Sequence, residues 1–329
     1  MKKRKLPLGY TIVLSVVIIA CVIIHITADF SGSNECAGDG SRISDFGENI
    51  SAGGMQSSAE SKTDFGELEL NSENTVFYSA SERKYLYKKA STEKIYPASL
   101  TKILTACTAL KYLDSQTVFK VGSELELVEK GSSLCLLKQG FRLTLEDLIT
   151  GMLMASGNDA AYTIAVNTAR AVAGKDGMGD KKAVKYFCTL MNDLAKDIGM
   201  KNSNFTNPDG WDDKRQYSTA EDLAVLAVYA DGIDEISEIV SLEKKHAVFE
   251  SGQNITWTNS NALLNPESRF YCKYAVGMKT GTTSLAGKCI IAVVKKQSKK
   301  YIAVVAGCDT DEDRYRDVIK LVNETEIMS

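Results

Sequence analysis

The chain has little histidine, and this shortage limits the catalytic sites that it can build. Only two of its 329 residues are histidines. His25 lies in an apolar N-terminal segment, which leaves His246 as the only imidazole for a soluble domain. The sequence also has no CxxC pair, no HExxH motif and no cluster of His, Cys and Asp, so it predicts no metal site and no other cofactor. A serine hydrolase of this composition would need a lysine as its base.

The charge balance and the spacing of the cysteines argue against two other classes of protein, those that bind nucleic acid and those held together by disulfides. The 39 basic and 42 acidic residues give a net charge of -3 and a pI near 5.7, so no overall positive field favours nucleic acid as a partner. The eight cysteines are widely spread, and a domain of this size does not need disulfides to be stable. We therefore predict that most of them are free thiols that act as small apolar core side chains.

Basic residues cluster once, at Lys2 to Lys5, directly before an apolar run over residues 8–26. This run is close to the length that crosses a bilayer, and the positive flank predicts a cytoplasmic N-terminus with the rest exported. We therefore predict that residues 1–28 are a membrane anchor and that the remaining chain is extracytoplasmic. The alternative is a signal that is cleaved after about Ala28, which would give a secreted protein. Lipidation at Cys21 is the lesser alternative.

The remaining chain divides into a polar segment and a folded domain. Residues 29–70 are rich in Ser, Gly, Glu and Asp, which predicts a disordered tether. Residues 71–329 carry patterns of strands, then of helices, then of strands again. This order predicts an α+β domain in which both ends of the segment contribute to one antiparallel sheet, with a mainly helical insertion between them.

The periodicity of this domain predicts its elements individually. A hairpin is expected at residues 75–80 and 85–90, and two late strands at residues 288–294 and 301–307. Helices are expected at residues 99–113, 144–155 and 183–198. A capping box at residues 218–221 predicts a further helix that ends at about residue 230, and a last helix is expected from about residue 311.

Ser99 and Lys102 form one of four SxxK spacings in the chain, at serines 81, 91, 99 and 241. Only Ser99 begins a long apolar helix, where residues three apart share a face and Lys102 can reach the serine. Burial and a second nearby cation would lower the pKa of Lys102, so that its neutral amine could accept the proton of Ser99. The alternative is a helix-capping serine beside a solvated lysine.

Two later motifs favour the catalytic interpretation. Ser156-Gly157-Asn158 lies at the junction of two predicted helices, where a hydroxyl and an amide could face a cleft. Lys279-Thr280-Gly281 occurs once and precedes a predicted strand. Alone, the first could be a structural cap and the second a turn.

In this order, SxxK, SGN and KTG resemble the active-site motifs of penicillin-binding proteins and serine β-lactamases. Neighbouring stretches, at residues 97–106, 156–161, 205–210, 217–224 and 259–264, are similar to those of the low-molecular-mass D-alanyl-D-alanine carboxypeptidases, peptidase family S11. The resemblance covers about residues 73–320. It implies the β-lactamase/transpeptidase-like fold and a catalytic domain over residues 71–329.

The resemblance also implies a role for each motif. Ser99 would be the nucleophile that attacks the penultimate D-alanine of a peptidoglycan stem peptide, and Lys102 its general base. Ser156 and Asn158 would transfer protons and hold the substrate amide, and Lys279, Thr280 and Gly281 would bind the terminal carboxylate side. The backbone N–H groups of Ser99 and Thr282 would form the oxyanion hole. β-Lactams would acylate Ser99.

Two other functions share these motifs. A class A β-lactamase needs a deacylating glutamate, usually in an ExxLN motif; Glu67 to Asn71 matches that pattern, but it precedes Ser99 and is interpreted as a chance match. A non-hydrolytic sensor of peptidoglycan or β-lactams is the second alternative.

The chain departs from many relatives at Trp211 and Gln216, where they carry Leu and His, so altered contacts are expected in that loop. Only 48 residues follow Gly281, so we expect no second domain after the catalytic one and an anchor, if any, at the N-terminus.

Overall fold

A computed structural model describes residue 65 and residues 68–325 of the chain. The predicted anchor at residues 1–28 and nearly all of the predicted tether lie outside these residues. In the described part, no helix has the length and apolar character needed to span a bilayer.

One antiparallel sheet of five strands organises the domain, in the order β2-β1-β9-β8-β7. Its strands are β1 (Asn74–Ser79), β2 (Lys84–Lys89), β7 (Ala275–Thr283), β8 (Gly287–Lys296) and β9 (Lys299–Cys308). Strand β1 pairs with β9, which follows it by more than two hundred residues. The prediction that both ends of the domain build one sheet is therefore confirmed.

The segment between β2 and β7 is mainly helical, as predicted. It contains α1 (Thr101–Tyr112), α2 (Leu145–Met154), α3 (Asn158–Ala173), α4 (Asp180–Asp197), α5 (Ala220–Asp231) and α6 (Asp234–Ser241). Two small hairpins that the periodicity did not predict interrupt it, formed by β3 (Val118–Lys120) with β4 (Arg142–Thr144) and by β5 (Lys244–Val248) with β6 (Asn254–Thr258). The last helix, α7 (Asp311–Glu324), follows β9.

The sheet separates two hydrophobic cores, because alternate side chains of a strand point to opposite faces. In β9, Ile302 and Val304 belong to the large core under the helices, whereas Ala303 and Val305 belong to a smaller core beneath α7. All six described cysteines are free and buried, which confirms for them the prediction of core thiols.

Two local predictions differ from the structure. Helix α5 is capped by Thr219 rather than Ser218, because the Thr219 hydroxyl accepts a hydrogen bond from the N–H of Asp222. The Asp222 carboxylate does not complete a capping box but accepts from the N–H groups of Lys201 and Asn202. The end of the predicted tether is also packed against the domain rather than free of it. Leu70 is buried, and the Phe65 ring lies 5.7 Å from that of Phe77. Apolar side chains at the end of the polar segment therefore join the smaller core, on the face of the sheet that α7 covers.

Candidate active site

Ser99 lies in a single turn of 3-10 helix (Ala98–Leu100) that leads directly into α1. The predicted helix from residue 99 is therefore nearly correct, but its first turn is tighter than an α-helix. Ala98 has a φ of +48°, a conformation that costs a non-glycine residue free energy. Leu100 and Leu104 on either side of Lys102 are fully buried. The apolar helix thus fixes Ser99 while leaving the serine itself partly accessible.

The Lys102 side chain is completely buried directly beneath the serine. Its Nζ donates to Ser99 Oγ at 2.9 Å and to the main-chain oxygen of Asp209 at 2.6 Å. Burial lowers the pKa of Lys102 to about 8, although the carboxylates of Asp209 and Asp159 oppose this effect. Among the four SxxK pairs it is the one with a buried lysine, since Lys84, Lys94 and Lys244 are exposed.

Two glycines allow distant segments to approach the backbone of the turn that carries Ser99. Gly210 has a φ of +90°, and a Cβ placed on it would lie 1.8 Å from the carbonyl oxygen of Ala98. A Cβ on Gly281 would lie 3.2 Å from the amide nitrogen of Ser99. These positions bring the loop around residue 210 and strand β7 against the same turn.

The SGN motif connects α2 to α3. Ser156 adopts a φ of +59° and is partly accessible. Asn158, the first residue of α3, is buried, and its Nδ2 donates to Asp209 Oδ2 at 2.5 Å. Asp209 therefore contacts the first two motifs, accepting from Lys102 with its main-chain oxygen and from Asn158 with its carboxylate.

The KTG motif lies inside the edge strand β7, not in a turn before a strand. Lys279 is buried, and its Nζ donates to the main-chain oxygen of Thr280 at 2.9 Å. Burial, the charge of Lys102 and the charge of Arg314 all lower its pKa well below the usual range. The Thr280 hydroxyl lies 3.2 Å from Ser260 Oγ, and Thr282 is exposed near the end of the strand.

The predicted neighbouring cation is present, because Lys102 and Lys279 are close enough for their charges to repel. Burial is nevertheless the main cause of the lowered pKa of Lys102. For Lys279, burial and the charge of Lys102 act in the same direction.

Sequence reasoning gave no role to Arg314 of α7. Its guanidinium is buried, and Nη1 donates to the Gly281 carbonyl at 3.1 Å and to Thr282 Oγ1 at 3.2 Å. It thus supports β7 beside the motif. No motif marks this arginine in the sequence, and only the packing of α7 brings it to the strand.

The loop with the two departures from the family pattern is held by its own side chains. Gln216 Oε1 accepts from the N–H groups of Thr206 and Asn207 at 2.9 and 3.1 Å. Trp211 is partly exposed next to Gly210. Glu67 of the ExxLN match lies outside the described residues, and the N–H of Asn71 donates to Asp317 of α7.

The described residues thus bring together a hydroxyl in contact with a buried amine, an amide fixed by a carboxylate, and an edge strand carrying a second buried lysine. This combination can perform nucleophilic acyl transfer to a substrate with a carboxylate. In residue 65 and residues 68–325, no three His, Cys, Asp or Glu side chains are grouped so that they could hold a metal ion.

Comparison with known proteins places this arrangement in a family. The profile of D-alanyl-D-alanine carboxypeptidases, peptidase family S11, matches residues 58–310. A D-alanyl-D-alanine carboxypeptidase of Bacillus subtilis, DacF, is 30% identical over 181 residues, which are 55% of this chain and 42% of that protein. The D-alanyl-D-alanine carboxypeptidase of Streptomyces sp. strain K15 is 31% identical over 189 residues, which are 55% of this chain and 60% of that protein.

A solved structure extends the likeness to most of the described chain. The crystal structure of the Streptomyces K15 DD-transpeptidase superposes with a TM-score of 0.71 at 26% identity, over 78% of this chain and 98% of that one. The β-lactamase/transpeptidase-like fold predicted from the sequence is thereby confirmed. The matched segments span about two-fifths to three-fifths of the curated relatives cited above.

Proposed function

The chain belongs to the family of D-alanyl-D-alanine carboxypeptidases, and we propose that it is a serine-type D-Ala-D-Ala carboxypeptidase that also binds penicillin. Its substrate is a peptidoglycan stem peptide, from which it removes the terminal D-alanine. The catalytic domain comprises residues 71–329.

The first step is acylation of the serine. Lys102 Nζ takes the proton of Ser99 while Ser99 Oγ forms a bond with the carbonyl carbon of the penultimate D-alanine. The peptide C–N bond then breaks, and the proton passes to the leaving amine by way of Ser156 and Lys102. The backbone N–H groups of Ser99 and Thr282 stabilise the oxyanion, and a lost donor of this kind costs about 3 kcal/mol of transition-state stabilisation.

The remaining residues hold the substrate. Asn158 binds its amide, and Lys279, Thr280 and Gly281 bind the side of the terminal carboxylate. Water then attacks the acyl-enzyme, the ester bond to Ser99 breaks, and the serine regains its proton. A β-lactam acylates Ser99 by the same first step.

One observation carries this proposal: a completely buried lysine donates to Ser99 Oγ at 2.9 Å and has a pKa lowered to about 8. A solvated lysine would be almost entirely protonated at neutral pH, whereas this amine is partly neutral. A buried base within hydrogen-bonding distance is the arrangement that activates a hydroxyl nucleophile.

The test is release of D-alanine from a peptide ending in D-Ala-D-Ala, together with covalent labelling by penicillin. We expect the wild-type chain to release D-alanine and to be labelled at Ser99, and Ser99→Ala to do neither. Ser91→Ala is the matched control, because Ser91 belongs to another SxxK pair and donates to Glu221. Labelling of Ser99→Ala would contradict the assignment of the nucleophile.

The same experiment separates the other functions considered. Rapid penicillin turnover without release of D-alanine would indicate a β-lactamase. Binding with neither reaction would indicate a sensor.

We also propose that residues 1–28 anchor the enzyme in the membrane, with the catalytic domain on the extracytoplasmic side. The basic cluster at Lys2 to Lys5 before the apolar run supports this orientation. Mass spectrometry of the mature N-terminus distinguishes a retained anchor from a cleaved signal.

A further inference from the structure

Asp209 is a buried carboxylate that belongs to none of the three motifs. It is 1% exposed. Its Oδ2 accepts from Asn158 Nδ2 at 2.5 Å, and its Oδ1 accepts from the N–H of Trp211 at 3.3 Å. The main-chain oxygen of the same residue accepts from Lys102 Nζ at 2.6 Å. One residue thus touches both the proposed base and the proposed amide-binding side chain.

A buried carboxylate is costly unless charge or hydrogen bonds offset its loss of hydration. Burial raises the pKa of Asp209, and the charge of Lys102 is the main influence that lowers it again. The other titratable groups around it are Glu129, Tyr162 of α3 and Cys188 of α4. Among the described groups that act on Asp209, Lys102 is therefore the only cation.

The charged groups around Lys102 determine how readily it holds its proton. The carboxylates of Asp209 and Asp159 favour its protonated form, and Lys279 on β7 is a cation that interacts with it. Asp159 is committed elsewhere, because its carboxylate accepts from the N–H groups of Cys135 and Leu137 at 2.9 Å each. Among the groups that oppose the effect of burial on the pKa of Lys102, Asp209 has the largest effect.

We propose that Asp209 is a positioning residue: its carboxylate fixes the amide of Asn158, and its charge favours the ammonium form of Lys102, so that it sets the pH range in which Ser99 is activated. This inference rests on the proposed acyl-enzyme chemistry. With Nδ2 of Asn158 held by Asp209, Oδ1 of that amide remains the acceptor for a substrate N–H.

Asp209→Asn separates charge from shape, because the two side chains have nearly the same size. Without the negative charge, Lys102 loses its proton more readily, so the rise of the acylation rate with pH moves to lower pH by about one unit. The new amide can also present either an oxygen or an NH₂ group to Asn158. We therefore expect the plateau rate to fall by about tenfold.

The measurement is the rate of acylation of the full chain by penicillin between pH 6 and pH 10, with the wild type rising through about pH 8. Asp209→Glu retains the charge and is expected to keep the wild-type midpoint at a reduced plateau. Asp213→Asn is the matched control, since this aspartate lies in the same loop and pairs with Arg215 rather than with Lys102. Its profile should be that of the wild type.

A wild-type midpoint and plateau in Asp209→Asn would overturn the inference. If that variant does not fold, ¹³C NMR of carboxyl-labelled aspartate in the wild type decides the question: Asp209, assigned by comparison with Asp209→Glu, must be ionised at pH 7, and a protonated carboxyl would refute the proposed charge effect. Absence of acylation in the wild type would instead refute the proposed function.

Discussion

The surroundings of Lys102 and Lys279 differ, although both lysines are almost completely buried in one site. Lys102 donates to a hydroxyl and a carbonyl oxygen and lies among carboxylates. Lys279 donates to the Thr280 carbonyl, and its charged neighbours are the cations Lys102 and Arg314. Burial disfavours the charged form of each lysine, and the neighbouring charges determine how far its pKa is lowered.

This difference suits the two lysines to different tasks. Opposing carboxylates keep the pKa of Lys102 at about 8, where an amine can both accept and return a proton. Among the described groups that act on Lys279 none is anionic, so its burial is not offset and its pKa is well below the usual range. An arriving substrate carboxylate would supply the missing charge and raise that pKa. This is the arrangement that the proposed carboxylate-binding role of Lys279 requires.

Lys102→Met is expected to cause the largest loss. Methionine fills much of the same volume but cannot accept the proton of Ser99, and removal of a general base costs about 10³-fold or more in rate. The measurement is the rate of acylation by penicillin, followed by mass spectrometry. Lys94→Met, in the exposed lysine of another SxxK pair, should retain the wild-type rate. A Lys102→Met rate within tenfold of the wild type would assign the base to another group.

The pH profile of the wild type provides the second test. Acylation requires neutral Lys102, so its rate should fall about tenfold per pH unit below about pH 8 and level off above it. Between pH 8 and pH 6 this amounts to about fiftyfold, because about half of the amine is neutral at pH 8 and about one hundredth at pH 6. Stopped-flow measurement with a chromogenic β-lactam would determine the curve. A rate independent of pH over this range would show that Lys102 does not act as the titrating base.

Lys279→Met is expected to have a smaller and more selective effect. A charge-assisted hydrogen bond contributes about 1.5–3 kcal/mol, so kcat/KM for a peptide ending in D-Ala-D-Ala should fall roughly 10- to 150-fold. The same peptide with an amidated C-terminus is the control, because it lacks the carboxylate and should distinguish little between variant and wild type. Equal losses with both peptides would indicate that Lys279 supports the fold rather than the carboxylate.

Sequence reasoning predicted the sheet, most helices and the three motifs, because these depend on local periodicity and on fixed spacings. Helix α2, for example, was expected at residues 144–155 and spans Leu145–Met154, with Thr144 as its N-cap. The placement of KTG within β7 was missed, since Gly277 and Gly281 interrupt the apolar pattern of a strand. Asp209 and Arg314 could not be recognised as part of the site, because their burial and partners arise only from tertiary packing.

The pairing of β1 with β9 has a consequence for synthesis of the protein. Ser99 and Lys102 leave the ribosome well before β7, whose Gly281 lies against the turn that carries Ser99. Contacts between such distant parts of a chain form late and slowly in folding. During synthesis Ser99 therefore lacks the edge strand that completes the candidate site until the last strands fold.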